Sequence, residues 1–313
     1  MDRTFHHRQG ERRPDRTGLY AEVTDRIIAE LEAGRVPWVQ PWGAGNAPLG
    51  LPANALTGRN YSGINILILW DSVIKKSFSH QLWLTFRQTQ ELGGHVAKGA
   101  QGTCVYFADR FIPKAERKRA ESAGEEASTV AFLKRFTLFN IEQCENLPAH
   151  LFDPKPIRPE SAILPEAAEL IRATGADFRI GGTQAFYSPA ADYIQVPPPE
   201  AFFEPINWHR TAFHELAHFS GHPSRLNRDQ SGAFGSKPYG QEELVAELSS
   251  AFLCASLGIT PTVRHADYLG SWLEILREDN RAIFRAASAA SKAADFILAF
   301  QSAETASDTA TAA

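Results

Sequence analysis

The chain is poor in cysteine and lacks any long apolar run. Its three cysteines, Cys104, Cys144 and Cys254, form no CxxC pair, which argues against a disulfide framework and against a cysteine-built zinc site. The first 20 residues, MDRTFHHRQGERRPDRTGLY, are polar and charged, so no secretory leader is expected there. No later stretch reaches membrane-spanning length, and a cytoplasmic protein with no membrane partner is the expectation. No internal repeat is visible, which argues against a solenoid or other repeat array.

The 313 residues are 43% hydrophobic, enough to bury the cores of two ordinary domains. The net charge of −4 conceals an asymmetry: residues 1–150 carry a net +3 and residues 151–313 a net −7. Residues 35–114 hold eight basic against three acidic side chains, a modest face for a polyanion.

After 17 patternless charged residues, expected to be disordered, LYAEVTDRIIAELEAG spaces Val23, Ile27, Ile28 and Leu31 as an amphipathic helix. A long loop rich in Pro, Gly and Asn comes next. INILILWDSVIKKS reads as a buried helix and SHQLWLTFRQTQELGG as a second one. TCVYFADRFI and VAFLKRFTLFN alternate as strands around a charged, mobile insertion, KAERKRAESAGEEAS. The proline-rich stretch 151–164 reads as a linker between a domain at 18–150 and one at 165–300. In the latter, PEAAELIRATG is a helix, and DFRI, TQAFYS and DYIQV are short strands. Two further helices, NWHRTAFHELAHFSG and GQEELVAELSSAFLCASLG, flank a polar loop, and residues 301–313 read as a disordered tail. Both halves mix helices and strands, an α+β class.

His214-Glu215-Leu216-Ala217-His218 is the pattern HExxH. Two histidines four apart on a helix project from one face and can converge on one ion, with Glu215 beside them to take a proton from a bound water. Phe213, Leu216, Ala217 and Phe219 fill the other faces, so the helix is expected to be interior. A third ligand is sought on the next helix, at Glu243 or Glu247, which share a face at i, i+4; His222 lies beyond Gly221, where the first helix is expected to stop. Glu242 would point elsewhere, as a solvated charge. Tyr239 is either an oxyanion donor or a packing residue. DYIQV is either an edge strand that holds an extended peptide or a core strand.

In the first half, aromatic and basic residues interleave: Arg35, Trp38, Trp42, Arg59, Tyr61, Trp83, Arg87 and Lys98. Single-stranded nucleic acid is held by that combination, bases stacking on rings while cations track phosphates. Trp70, inside ILILW, reads as core, whereas Trp38 and Trp42, in a Pro/Gly loop, are harder to place there.

The stretches TDRIIAELEAGRVPWVQPW, LPANALTGRNYSGINILILW, LTFRQTQELGGHVAKG and FTLFNIEQCENLP resemble the N-terminal domain of the ArdC-type antirestriction family, shared with TraC-type plasmid primases. DYIQVPP, HELAHFSGHPSRLNR and EELVAELSSAFL are similar to that family's zincin-like metallopeptidase domain. The resemblance implies a single-stranded-DNA-binding domain joined to a metallopeptidase domain, in a protein that protects incoming conjugative or phage DNA from restriction; zinc is the expected ion, with another divalent metal such as Mn2+ as the alternative. It implies His214, His218 and Glu243 as metal ligands, Glu215 as the catalytic carboxylate and Glu247 as the residue orienting a ligand histidine. A protein substrate in the host defence machinery would follow if the peptidase is active. The competing readings are a DNA-binding shield with an idle zincin fold and a metallopeptidase without a nucleic-acid role.

Overall fold

The computed structural model describes residues 16–39, 49–153, 158–262 and 268–311. Helix α1 (Arg16–Glu32) buries Leu19, Val23, Ile27 and Leu31, one residue per turn, and the chain leaves it through Gly34 at φ 72°. Strand β1 (Ala53–Asn54) lies within the stretch 36–63 that reads as a loop, and helix α2 (Ile64–Lys76) follows it. The single helix expected over SHQLWLTFRQTQELGG is instead strand β2 (Leu82–Leu84) and helix α3 (Phe86–Glu91). Thr85 is the reason: its side chain accepts from Gln88 N while Gln88 reaches back to Thr85 N, a capping box that starts the helix there and leaves Leu82–Leu84 extended.

Strands β3 (His95–Val96), β4 (Thr103–Phe111), β5 (Val130–Asn140) and β6 (Cys144–Glu145) complete this half; β4 and β5 form a long antiparallel ribbon in the order β1-β2-β5-β4, and β3 pairs with β6. The charged insertion between β4 and β5, read as mobile, contains helix α4 (Lys114–Ala123). Arg119 bonds both Glu116 within the helix and Glu125 just beyond it, which fastens the helix end to the chain leading into β5.

Helix α5 (Glu160–Ala173) begins inside the stretch expected to be a linker and runs through Pro165. Burial of Ile163, Ala167, Leu170 and Ile171 offsets the one hydrogen bond that the proline removes near the helix start. Strands β7 (Asp177–Ile180), β8 (Phe186–Ser188) and β9 (Tyr193–Val196) form a sheet in the order β7-β9-β8. DYIQV is thus the central strand, paired on both sides, and it offers no free edge for a peptide. Helices α6 (Pro205–Ser220), α7 (Lys237–Leu257), α8 (Leu269–Glu278) and α9 (Ala282–Thr311) come last; α9 continues through most of the expected disordered tail, a stretch whose frequent alanine favours helix.

One hydrophobic core runs through both halves. Trp38 meets Trp272 edge-on at 5.6 Å, and Trp70 meets Phe252 at 5.7 Å. Thr24 Oγ1 donates to Asn280 O at 2.7 Å and Gly63 N to Ser291 Oγ at 2.7 Å, so α1 is tied to the turn between α8 and α9 and the start of α2 to α9. No helix among the described residues is long and apolar enough to cross a membrane.

Candidate metal centre and nucleic-acid surface

Helix α6 places the HExxH residues and helix α7 faces them. Proline at the first position of α6 costs no hydrogen bond there, and the helix stops at Gly221, so His222 lies beyond it. Ser236 caps α7 by accepting from Tyr239 N at 3.4 Å, which puts Tyr239 in the first turn rather than in the preceding loop. Gly258, at φ 79°, ends α7 in the left-handed conformation.

His214 Nε2 and His218 Nε2 lie 3.2 Å apart. Glu243 presents one carboxylate oxygen to each ring, Oε2 at 3.4 Å from His214 Nε2 and Oε1 at 3.4 Å from His218 Nε2. A cation bound tetrahedrally at about 2.0–2.1 Å spaces its ligand atoms by about 3.3 Å, so these separations fit a metal ion of that size. Among the described residues, His214, His218 and Glu243 are the group that could hold one ion. Glu215, Glu242 and Glu247 are buried too, on the same two helices. A buried carboxylate set between two imidazoles favours a divalent cation. Imidazole with carboxylate is a donor set for zinc and for its divalent neighbours.

The contacts behind the ligands differ from the sequence reading. Glu242, expected to be a solvated charge, is buried, with Oε1 3.2 Å from His218 Nδ1. Glu247, expected to orient a ligand histidine, lies with Oε1 3.8 Å from His214 Nδ1. Each imidazole therefore has a carboxylate at the nitrogen facing away from the ion position.

Arg228 donates to both oxygens of Glu242, at 3.0 and 2.7 Å, and its guanidinium also donates to Ala217 O and Ser220 Oγ at the end of α6. Gln230 donates to His218 O and to Glu242. Neither Arg228 nor Gln230 stands out in the sequence, because both sit in what reads as a polar loop. The available signal is a cation shortly beyond a helix C-terminus, where free carbonyls and the helix dipole attract it.

Burial pushes the His218 imidazolium down, but Glu242 and Glu243 prevail and raise its pKa to about 10. Burial likewise opposes the charged form of Glu242, and His218 and Arg228 overcome it, lowering its pKa to about 2. Glu243 is held far below the usual carboxylate range by His214 and His218 despite its burial. Burial, the neighbouring Tyr268 hydroxyl and Glu243 hold the proton on Tyr239 well above the usual phenol range. Tyr268 donates to the Tyr239 hydroxyl at 3.5 Å, and the exposed Phe234 ring packs on Tyr239 at 5.2 Å, forming an aromatic lip beside Glu243. His222 turns outward to Ser224, and His209 bonds Pro205 O, so neither joins the group.

The aromatic and basic residues of the first half divide. Trp38 and Trp83 are fully buried and cannot stack on a base; Trp38 closes over Trp272, and Trp83 packs on Phe78. Trp42 lies outside the described residues. Arg35 is exposed, but its guanidinium is bonded to Glu30 at 2.6 Å. Arg59, Arg87 and Lys98 are exposed and make no ion pair among the described residues. Asn54 ties two of these to one surface: its amide nitrogen donates to Tyr61 Oη at 3.3 Å and to Gln88 Oε1 at 3.0 Å. The segment bearing Arg59 and Tyr61 is thereby joined to the first turn of α3, which bears Arg87 and the 54% exposed Phe86. Phe86 is absent from the sequence reading, since exposure of a phenylalanine is not visible in sequence.

Residues 17–139 match the family model described as the N-terminal domain of anti-restriction factor ArdC, and residues 165–289 match that of a zincin-like metallopeptidase. The chain is 37% identical over 291 residues to the uncharacterized protein y4eC of Sinorhizobium fredii (strain NBRC 101917 / NGR234), covering 91% of this chain and 93% of that one. It is 35% identical over 297 residues to a DNA primase TraC of Escherichia coli, covering 90% of this chain but 27% of the primase. Among solved structures, it resembles the antirestriction protein ArdC of plasmid R388 in its metal-free form, with a TM-score of 0.75, 36% identity, and 90% of this chain and 97% of that one covered. The Mn(II)-bound form of the same protein gives a TM-score of 0.74 at 37% identity, with the same coverage. The chain belongs to the ArdC antirestriction family, an ArdC N-terminal domain followed by a zincin-like domain with a donor set suited to a divalent metal.

Proposed function

We propose that this protein protects incoming DNA from restriction by binding it as a single strand and by hydrolysing a peptide bond at a zinc centre held by His214, His218 and Glu243. The observation that carries the reading is the set of donor separations, 3.2 to 3.4 Å, between the buried His214 and Glu243 and the half-buried His218 on two packed helices. A divalent cation there supplies Lewis acidity and brings the pKa of a coordinated water toward neutrality.

The remaining roles belong to the chain. Glu215, buried beside His214, takes a proton from the nucleophile and returns it to the leaving amine. Tyr239, whose proton is held firmly, donates a hydrogen bond to a developing oxyanion. Glu242 fixes the His218 ring by a hydrogen bond, and Glu247, at 3.8 Å, acts on His214 through its charge alone. The surface around Asn54 supplies DNA contacts through Arg59, Tyr61, Phe86 and Arg87, with Lys98 adding charge, in a sequence-tolerant mode that combines stacking and phosphate attraction.

The deciding experiment is transfer of unmodified DNA into a restricting recipient that carries wild type or Glu215→Gln. Loss of protection in the variant, with metal and oligonucleotide binding retained, supports hydrolysis. Full protection by the variant would make the zincin fold an idle scaffold for a DNA-binding shield.

A further inference from the structure

A second concentration of positive charge lies in the half of the chain whose net charge is −7. Tyr20 on α1, the segment after α6 and the start of α9 enclose a cleft of about 710 Å³. Arg225, Arg228, Arg281, Arg285 and Lys292 line it, and no carboxylate does. Three of these cations are compensated from outside the cleft: Arg225 by Asp192, Arg228 by Glu242 and Arg285 by Asp279. Arg281 and Lys292 are exposed and make no ion pair among the described residues. Part of the wall is aromatic: Tyr20 and Phe284 meet edge-on at 4.7 Å, and the Arg281 guanidinium stands 5.1 Å from the Tyr20 ring centre.

Two uncompensated cations, Arg281 and Lys292, beside three paired arginines in a cleft lined by no carboxylate favour a ligand that carries more than one negative charge along its length. A wall of aromatic rings beside them favours one that also has flat, unpaired bases. We propose that this cleft is a second contact for single-stranded DNA, with Arg281 and Lys292 taking backbone phosphates. It rests on the single-stranded DNA reading above and extends it to the zincin-like half. Arg228 is shared between the cleft and the support of His218 through Glu242, so the strand passes directly behind the metal centre.

The test uses the full chain and a labelled oligonucleotide, with affinity followed by anisotropy across a salt series. Arg281→Ala with Lys292→Ala removes two cations that hold nothing in the metal centre, and their exposure leaves the fold intact. The slope of log affinity against log salt should then fall by about 1.4, at about 0.7 per phosphate of a single strand. Arg281→Lys with Lys292→Arg, which keeps both charges, should restore the wild-type slope.

A double alanine variant with wild-type affinity and slope, while Arg59→Ala weakens binding, overturns the cleft but not the DNA reading. A wild-type protein that binds no oligonucleotide overturns both. Displacement of the strand by inorganic pyrophosphate at equal phosphate concentration would make this a small-anion site. Displacement by polyglutamate at equal charge would make it a site for acidic protein. Either result overturns the assignment.

Discussion

Glu242 Oε1 lies 3.2 Å from His218 Nδ1, and the same carboxylate receives two hydrogen bonds from Arg228. A fork of this kind fixes the carboxylate in a plane, and the carboxylate in turn fixes the imidazole. The ring that faces the ion position is thus oriented by a chain of contacts reaching into the 221–236 loop, well beyond the HExxH motif. Removing the carboxylate releases the ring without touching a ligand atom.

Glu242→Ala should therefore weaken metal binding by about 10- to 100-fold while leaving the stoichiometry at one ion per chain. Competition against a chromophoric chelator measures this, and an unchanged affinity would show that the ring is held by other means.

Metal uptake should be coupled to proton release. In the metal-free protein His218 is cationic at neutral pH, its pKa raised to about 10 by Glu242 and Glu243 against the effect of burial. A ligand imidazole must be neutral, so binding displaces that proton and affinity falls as the pH is lowered from 8 to 6. Calorimetry in two buffers of different ionisation enthalpy should report about one proton released per ion.

The same shift sets a stability trend for the metal-free protein. A raised folded-state pKa stabilises fully below the unfolded value of about 6.5 and loses its effect as pH rises toward 10. The melting temperature of chelator-treated protein should accordingly decline across that window, and the decline should disappear once the metal is restored.

Trp38 and Phe86 should behave oppositely. Trp38→Ala opens a cavity against Trp272 and should cost about 3–5 kcal/mol of stability, with DNA affinity of the folded protein unchanged. Phe86→Ala should leave the melting temperature nearly unchanged and weaken oligonucleotide binding by about 1–3 kcal/mol, the value of one stacked base. A reversed pattern would move the stacking surface back to the tryptophans.

These contrasts mark what is legible in the sequence. His214 and His218 can be read together because helical spacing brings i, i+4 side chains to one face, whereas that spacing does not separate Glu243 from Glu247, and only the packing of two helices sets Glu243 between the rings. The α2 helix and the β4 and β5 strands are equally visible as apolar periodicities. Trp38 misleads because a Pro/Gly loop implies solvent, whereas α8, more than 230 residues later, closes over it. Glu242 misleads because its burial depends on Arg228, whose approach to the end of α6 is a tertiary event. The capping box at Thr85 is present in the letters, and overlooking it merges a strand into a helix.

Two histidines from α6 and one glutamate from α7 should bind a single divalent ion. Equilibrium dialysis followed by metal analysis decides this, with wild type compared with His214→Ala and Glu243→Ala, each first shown to be folded. Wild type should hold one ion per chain, zinc in preference to manganese, and either variant essentially none. Equal metal content in all three proteins would rule this metal centre out.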